Sequence, residues 1–313
     1  MKKLILVFCV LSLAIGCSKK KDDETDAEEV VDSLENIVES ALTDASSNLD
    51  AAEGDSVLMS SIGPLAACDI STARSACSNN IRTVTWDGCT TVRGDVLTGV
   101  IVESYAGFGA AACQMTGSTS VLTRTISSDI PRKLTIGSGA LAGATITSTN
   151  DPGTAWDGDT FPDASTGTVI SRIETGTSNG QTCGDGIGGN PTPCLNVVVN
   201  GIHTTMKGRR GLTWFEHIAQ ADLTAKGTRG GGDRTLSGTS TVWHEILEYK
   251  AVNTFTSVVW GDSACCYPTS GSISSVLTGS ITKSTTLTFT STCGEATLND
   301  GTDDSTVTLK QCQ

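Results

Sequence analysis

The sequence predicts an all-β protein whose antiparallel sheet is either a sandwich or one long meander. Only 4% of the residues are aromatic and 18% are charged, while serine, threonine and glycine are abundant. This composition suits polar-faced strands and tight turns. Strand-like runs separated by glycine-rich turns follow one another from about residue 83 onward. Beyond Cys9 and Cys17, an even set of ten cysteines indicates a fold stapled by disulfides.

The first seventeen residues have the pattern of an export signal. Lys2 and Lys3 precede an apolar run over 4–15, and a small residue then leads to Cys17. The run is too short for a membrane-spanning helix. The pattern resembles the bacterial lipoprotein signal, and this resemblance implies removal of residues 1–16 and lipidation of Cys17 as a membrane anchor. It also implies delivery to the outer membrane, because Ser18 rather than aspartate follows the cysteine.

Two N-terminal segments precede the body of the protein. Residues 17–27 are charged and lack apolar periodicity, which predicts a disordered tether. Over 28–52, apolar residues recur at helical spacing between acidic residues, which predicts one acidic amphipathic helix. Its apolar stripe either packs on the body or forms a coiled-coil seam with a partner chain. The remaining residues, 53–313, are predicted to form the cysteine-rich antiparallel β domain.

The charge of the chain argues against nucleic acid as a partner. The formal net charge is -13, and it becomes -15 when Lys2 and Lys3 leave with the signal. A chain this acidic repels phosphate backbones.

The strongest hairpin signal is the dipeptide Asn200-Gly201, which lies between apolar runs over 195–199 and 202–206. Asn-Gly tolerates the positive φ angles of a two-residue type I′ turn, so the sequence predicts a hairpin. One face of this hairpin would carry Leu195, Val197, Val199, Ile202, Thr204 and Met206, with Val198 and His203 on the other. Further strands are predicted over 96–105, 119–126, 167–175, 211–225, 234–249 and 252–260, with glycine-rich turns such as 226–233 between them.

The cysteines of the β domain predict up to five disulfides in an oxidising compartment. They are Cys68, Cys77, Cys89, Cys113, Cys183, Cys194, Cys265, Cys266, Cys293 and Cys312. Two local pairs are predicted: Cys183 with Cys194 around a glycine-rich loop, and Cys293 with Cys312 across a terminal hairpin. The sequence has no CxxC pair, which argues against a zinc ribbon or a thioredoxin-like role.

Two further features concern the cysteines. Adjacent Cys265 and Cys266 either form a vicinal disulfide or each bond elsewhere. In addition, three strand-like runs that end in an aromatic residue each precede a cysteine. This pattern predicts repeated hairpins in which the cysteine of each turn forms a disulfide with a neighbouring segment. The three runs are Val84 to Cys89, Val258 to Cys265 and Leu287 to Cys293.

Motifs of hydrolases are weak in this chain. Ser178 lies in a Gly-x-Ser-x-Gly match, but the glycine-rich segment that follows cannot form the helix of a nucleophile elbow. Ser280 and Lys283 match a Ser-x-x-Lys motif without its companion motifs. No catalytic residue is predicted, and a hydrolase using Ser178, His217 and His244 ranks last among the functions considered.

The chain has three histidines, and two of them lie beside a glutamate and near a tryptophan. Glu216 precedes His217, and Glu245 follows His244. If their strands pair, these side chains could converge as metal ligands or as an acid and base. Adjacent residues of a strand point to opposite faces, however, so cross-strand polar pairing on the solvent face is the preferred interpretation.

A turn-rich loop concentrates carboxylates and aromatic rings, and it is the candidate binding patch. Its oxygen ligands suit calcium, although their spacing differs from that of an EF-hand, and its rings could stack on a sugar. A solvated loop with Asx-turns is the alternative. The residues concerned are Asp151, Trp156, Asp157, Asp159, Phe161 and Asp163.

Together these features predict a membrane-anchored lipoprotein with a non-catalytic structural, adhesive or recognition role in the cell envelope, binding a protein or a glycan. A periplasm-facing carrier of a lipid or other hydrophobic ligand is the alternative. No cofactor is predicted, and calcium is the one candidate ion.

The lipid anchor depends on a single thiol, so Cys17→Ala should abolish it. We expect the variant to lose incorporation of labelled palmitate and to move from the membrane to the soluble fraction, because stable anchoring requires two or more acyl chains. Metabolic labelling and fractionation measure this, with Cys9→Ala as the control. Undiminished labelling of Cys17→Ala would rule out this anchor.

Overall fold

All strands that the structure describes pair antiparallel. The computed structural model describes residues 74–90, 94–107, 113, 120–138, 142–150, 167–184, 188–189, 192–227, 234–246, 248–260, 265 and 267–309. Within these residues the strands are β1 (Ile81–Thr90), β2 (Val96–Ala106), β3 (Val121–Ile126), β4 (Arg132–Thr135), β5 (Thr145–Thr149), β6 (Gly167–Ile173), β7 (Gly176–Ser178), β8 (Gln181–Cys183), β9 (Cys194–Lys207), β10 (Thr213–Lys226), β11 (Thr235–His244), β12 (Tyr249–Trp260), β13 (Pro268–Gly279), β14 (Lys283–Phe289), β15 (Glu295–Asn299) and β16 (Asp304–Thr308). The predicted all-β class is confirmed.

The main sheet is one long meander, the second of the two predicted architectures. We use the word column for one strand, or for two strands that continue one another. β3 and β4 form one column, because both pair with the same edge of β2. β5 and β6 form the next column, because both pair with the same edge of β9. With β7 and β8 apart as a small hairpin, the columns follow sequence order from β1 to β16.

One face of the sheet, here called the core face, carries an apolar row that crosses ten columns. Each member is the cross-strand partner of the next, and the nine members with a side chain are at most 5% exposed. Full burial of each large side chain contributes about 1.5 to 3 kcal/mol. The row consists of Tyr105, Leu122, Ile170, Val197, Leu223, Gly238, Phe255, Ile273, Leu287 and Leu298.

Gly238 is the one member of the row without a side chain. Its φ is +130°, and a Cβ there would lie 2.1 Å from the carbonyl oxygen of Asp222. The close approach of β10 therefore requires glycine at this position.

The predicted hairpin at Asn200-Gly201 is wrong, because β9 runs unbroken from Cys194 to Lys207. In the pairing of β9 with β10, Asn200 and Gly201 together oppose Gln220. This is a β-bulge, and Gly201 adopts its positive φ of +61°. Asn-Gly supplies the same backbone freedom to a bulge as to a turn. The long strand prevails here because both of its edges have partners.

The predicted division of faces along β9 is nevertheless confirmed. The six residues assigned to one face are all cross-strand partners of core-face residues of β10. His203 lies on the other face. The extra residue of the bulge shifts the alternation by one, as a two-residue turn would have done.

The disulfides join neighbouring loops and strands. Cys183–Cys194 is present as predicted. The prediction that Cys293 pairs with Cys312 is wrong, because Cys293 bonds to Cys265. Cys265 follows β12 and Cys293 follows β14, and alternate turns of a meander lie at the same edge of the sheet. The bond therefore joins two of the three aromatic-cysteine runs and excludes a vicinal bond at Cys265.

The other cysteines divide between described and undescribed residues. Cys77 bonds to Cys113, and Cys89 is also disulfide-bonded. Cys68, Cys266 and Cys312 lie outside the described residues.

The six further predicted strands correspond to β2, β3, β6, β10, β11 and β12. The largest difference is at β11, which ends at His244 rather than at residue 249. The predicted signal, tether and helix lie outside the described residues. No helix with the length and apolar character needed to cross a bilayer is found in the part of the chain that the structure describes.

The apolar row is expected to dominate stability, so Leu223→Ala should be costly. Leu223 is fully buried, and we expect a loss of about 2 to 5 kcal/mol in the free energy of unfolding. Val276 is 46% exposed on the same sheet, so Val276→Ala should change it by less than about 0.5 kcal/mol. Denaturant unfolding compares the two, and equal effects would contradict the assignment of the core face.

Candidate functional site

The three histidines lie on three adjacent strands, with His203 on β9, His217 on β10 and His244 on β11. His217 and His244 are direct cross-strand partners. Thr204 is the partner of His217 on β9, so His203, one residue earlier, projects from the other face. Two histidines therefore lie on the core face and one lies on the opposite face.

On the opposite face, His203 meets two carboxylates. Nε2 of His203 lies 2.9 Å from Oε1 of Glu216 and 3.8 Å from Oε1 of Glu245. One ligand atom from each of these side chains lies within 4.8 Å of the other two. We call these three residues the His-Glu cluster.

Strand register positions the cluster. The backbone N–H of Glu245 donates to the carbonyl of Glu216 at 3.0 Å, which sets the two glutamates opposite each other. His203 is the partner of Ile218, two residues along β10 from Glu216, so its imidazole reaches the carboxylates diagonally. Ile218 is fully buried, and its partner Trp243 is only 6% exposed. The cluster therefore stands beside a packed apolar pair that limits its movement.

The histidines of the core face are neutral at pH 7. Burial, followed by the charges of His244 and His203, lowers the pKa of His217 to about 3. Burial also lowers the pKa of His244 to about 4. The His244 ring stacks on Tyr249 with 5.1 Å between centroids, and burial raises the pKa of this tyrosine. These groups form a neutral polar row at one end of the core face.

The predicted alternation of the two His/Glu pairs is thus present. Glu216 and Glu245 share one face, and His217 and His244 share the other. Cross-strand polar pairing was predicted on the solvent face. His203 and Glu216 form such a pair on the face opposite the core, whereas His217 and His244 belong to the core face. His203 was not predicted as the partner of the carboxylates, because the predicted hairpin paired the two halves of β9 with each other instead of with β10.

Ser178 lies far from every histidine. It ends β7, in a tight β7–β8 hairpin rather than a strand-to-helix turn, and its Oγ lies 2.7 Å from Oγ1 of Thr224. Thr224 is seven residues along β10 from His217, which is about 24 Å at about 3.4 Å per residue. Asn179 and Gln181 also bond to Thr224. The serine therefore helps to dock the small hairpin on β10.

A second polar group lies on the core face and was not predicted. Glu103 is 1% exposed, and its cross-strand partners are Arg82 and Arg124. Nε of Arg82 lies 2.6 Å from Oε2, and Nη2 of Arg124 lies 3.0 Å from Oε1. Arg74 approaches Oε1 at 3.9 Å, and the hydroxyl of Tyr105 donates to Oε2 at 3.0 Å. We call these residues the arginine cluster.

Electrostatics keep Glu103 ionised. Burial by itself would raise its pKa, but Arg124, Arg74 and Arg82 outweigh burial and hold the pKa at about 2. Burial and the nearby carboxylate raise the pKa of Tyr105 to about 12. The buried carboxylate thus balances part of the positive charge of three guanidinium groups, which stabilises the junction of β1, β2 and β3.

The remaining predicted site residues lie outside the described residues. They are Cys17 and the loop residues Asp151, Trp156, Asp157, Asp159, Phe161 and Asp163.

Comparison with known proteins found no match, either among family models, among curated proteins or among solved structures. The geometry of the chain itself is therefore the basis for its proposed function.

The arginine cluster predicts a pH-dependent stability. The pKa of Glu103 falls from 4.5 to about 2 on folding, so its stabilising effect is complete above about pH 4.5 and is lost as the pH falls towards 2. Glu103→Gln should remove this dependence and cost about 3 kcal/mol at neutral pH, because it leaves three half-buried arginines without their carboxylate.

Glu174→Gln is the matched control, since Glu174 pairs with Arg172 at 3.2 Å near the surface and should contribute at most about 1 kcal/mol. Chemical unfolding at several pH values measures both variants. If the stability of Glu103→Gln falls at acid pH as much as that of the wild type does, the Glu103 carboxylate is not the cause of the pH dependence.

Proposed function

We propose that this protein is a membrane-anchored lipoprotein of the cell envelope with a non-catalytic recognition role. The lipoprotein-like signal with Cys17 supports the anchor. The disulfides support an exported location, because such bonds persist in oxidising compartments. The rigid meander supports recognition, because it presents fixed side chains over many columns.

The observation that carries the recognition role is a hydroxyl-rich surface. On β12 to β16, the face opposite the core carries serine and threonine in cross-strand register. Most of these side chains are exposed or half-buried. We call this surface the hydroxyl face; it consists of Thr254, Thr256, Ser272, Ser274, Thr286, Thr288, Thr297 and Thr306.

The chemistry of this face suits a polar, weakly charged partner. Each hydroxyl both donates and accepts hydrogen bonds, and columns about 4.8 Å apart repeat these groups regularly. Some bonds already join neighbours, such as Thr286 to Ser274 at 3.3 Å. A glycan, which also presents repeated hydroxyls, is the partner class that this surface fits best.

The two alternatives have less support. A carrier of a hydrophobic ligand needs open apolar surface, whereas Leu122, Ile170 and Leu223 on the core face are already fully buried. A hydrolase would need Ser178 near a histidine, and about half the length of β10 separates Ser178 from His217.

Two lysines on the hydroxyl face should weaken recognition without unfolding the sheet. Thr288 and Thr306 are exposed, and long charged side chains there would block close approach of a polar partner. We expect Thr288→Lys with Thr306→Lys to weaken retention on printed envelope and host glycans by about tenfold, equivalent to about 1.4 kcal/mol. The unfolding midpoint should stay unchanged.

Ser305→Lys is the control, because Ser305 is an exposed neighbour on the other face of β16. Protease shaving of intact cells locates the domain. The recognition role would be contradicted if the wild type binds no glycan, or if the double variant binds glycans as strongly as the wild type. A domain that is protected from protease in intact cells would favour the periplasmic carrier.

A further inference from the structure

We propose that His203, Glu216 and Glu245 bind one divalent transition-metal ion, for which Zn²⁺ is the best-suited probe. The proposal is independent of the hydroxyl face, which lies on other strands.

The ligand distances are close to those of a metal site. Ligand atoms about 2.1 Å from a tetrahedral ion lie about 3.4 Å from one another. Nε2 of His203 lies 2.9 Å and 3.8 Å from the two glutamate oxygens, and these values bracket the ideal separation. The ligand oxygens of the two glutamates lie within 4.8 Å of each other, so side-chain shifts on the order of 1 Å would bring the three atoms to the spacing of a bound ion.

The convergence of the three side chains spans two strand spacings. His203 is on β9 and Glu245 follows β11, with β10 between them, so their strands are about 9.6 Å apart. Their side chains nevertheless meet above β10 within 3.8 Å. Glu216 and Glu245 are directly opposed like charges, an arrangement that is unfavourable between strands. A cation between them removes this repulsion.

The mixture of ligand atoms selects the class of ion. One imidazole nitrogen with two carboxylate oxygens suits Zn²⁺ and neighbouring transition metals, whereas Ca²⁺ and Mg²⁺ prefer oxygen alone. Three protein ligands leave a fourth position for water. The side chains are 14%, 29% and 12% exposed, so an ion can reach them from solvent.

The disulfides simplify the test, because bonded cysteines offer no thiolate for zinc. In the described chain this applies to the cysteines of the three disulfides and to Cys89. Among the described residues, histidine and carboxylate groups are therefore the ligands that remain for zinc.

The experiment uses the detergent-solubilised mature protein after treatment with a chelator. Isothermal titration with Zn²⁺ should give one site per chain, and Co²⁺ should give the visible absorption of a four-coordinate ion. Ca²⁺ and Mg²⁺ should give neither. His203→Gln and Glu245→Gln should each weaken Zn²⁺ binding by more than about 100-fold, since even outer-shell partners of a metal are worth 10-fold to 100-fold.

Glu295→Gln, at an exposed carboxylate on β15, is the matched control and should bind as the wild type does. Circular dichroism confirms that each variant is folded. The proposal is overturned if the folded wild type binds no Zn²⁺, in which case His203 and Glu216 form a hydrogen bond only. It is equally overturned if both cluster variants bind as tightly as the wild type, or if Ca²⁺ binds as well as Zn²⁺.

Discussion

The rest of this structure depends on one constraint: side chains alternate between the two faces of each strand, and one continuous apolar row lies on the core face. The row from Tyr105 to Leu298 fixes which side of each column faces the core. Because side chains alternate, every remaining residue of a column is then assigned to a face. The positions of the charged and polar groups follow from this assignment rather than from local sequence motifs.

The same constraint separates groups that are neighbours in sequence. Glu216 and His217 are adjacent, yet one belongs to the His-Glu cluster and the other to the neutral polar row of the core face. Residues that are distant in sequence meet instead, as Glu103 does with Arg82 and Arg124. Each column of a meander contributes one side chain to a cross-strand row. A cluster of polar side chains therefore consists of residues from several neighbouring columns.

Much of the fold follows from composition and periodicity, but the register does not. The strands around β2, β10 and β12 could be predicted because each is a long alternating run, and the pair Cys183–Cys194 because its loop is short. The pair Cys265–Cys293 could not, because it depends on which turns share an edge. His203 was missed for a related reason: its partners are set by the pairing of β9 with β10, and Asn-Gly suits a turn and a bulge equally well.

The bulge in β9 has a consequence for how this surface could change. If the same residues formed a regular strand without the bulge, the alternation from Leu195 would continue uninterrupted and would carry His203 to the core face and Met206 to the opposite face. The imidazole would then be separated from Glu216 by the thickness of the sheet. The bulge therefore absorbs the one-residue offset between the two halves of β9, so a chain that lacks one of these two residues would form a regular strand and keep His203 on the same face.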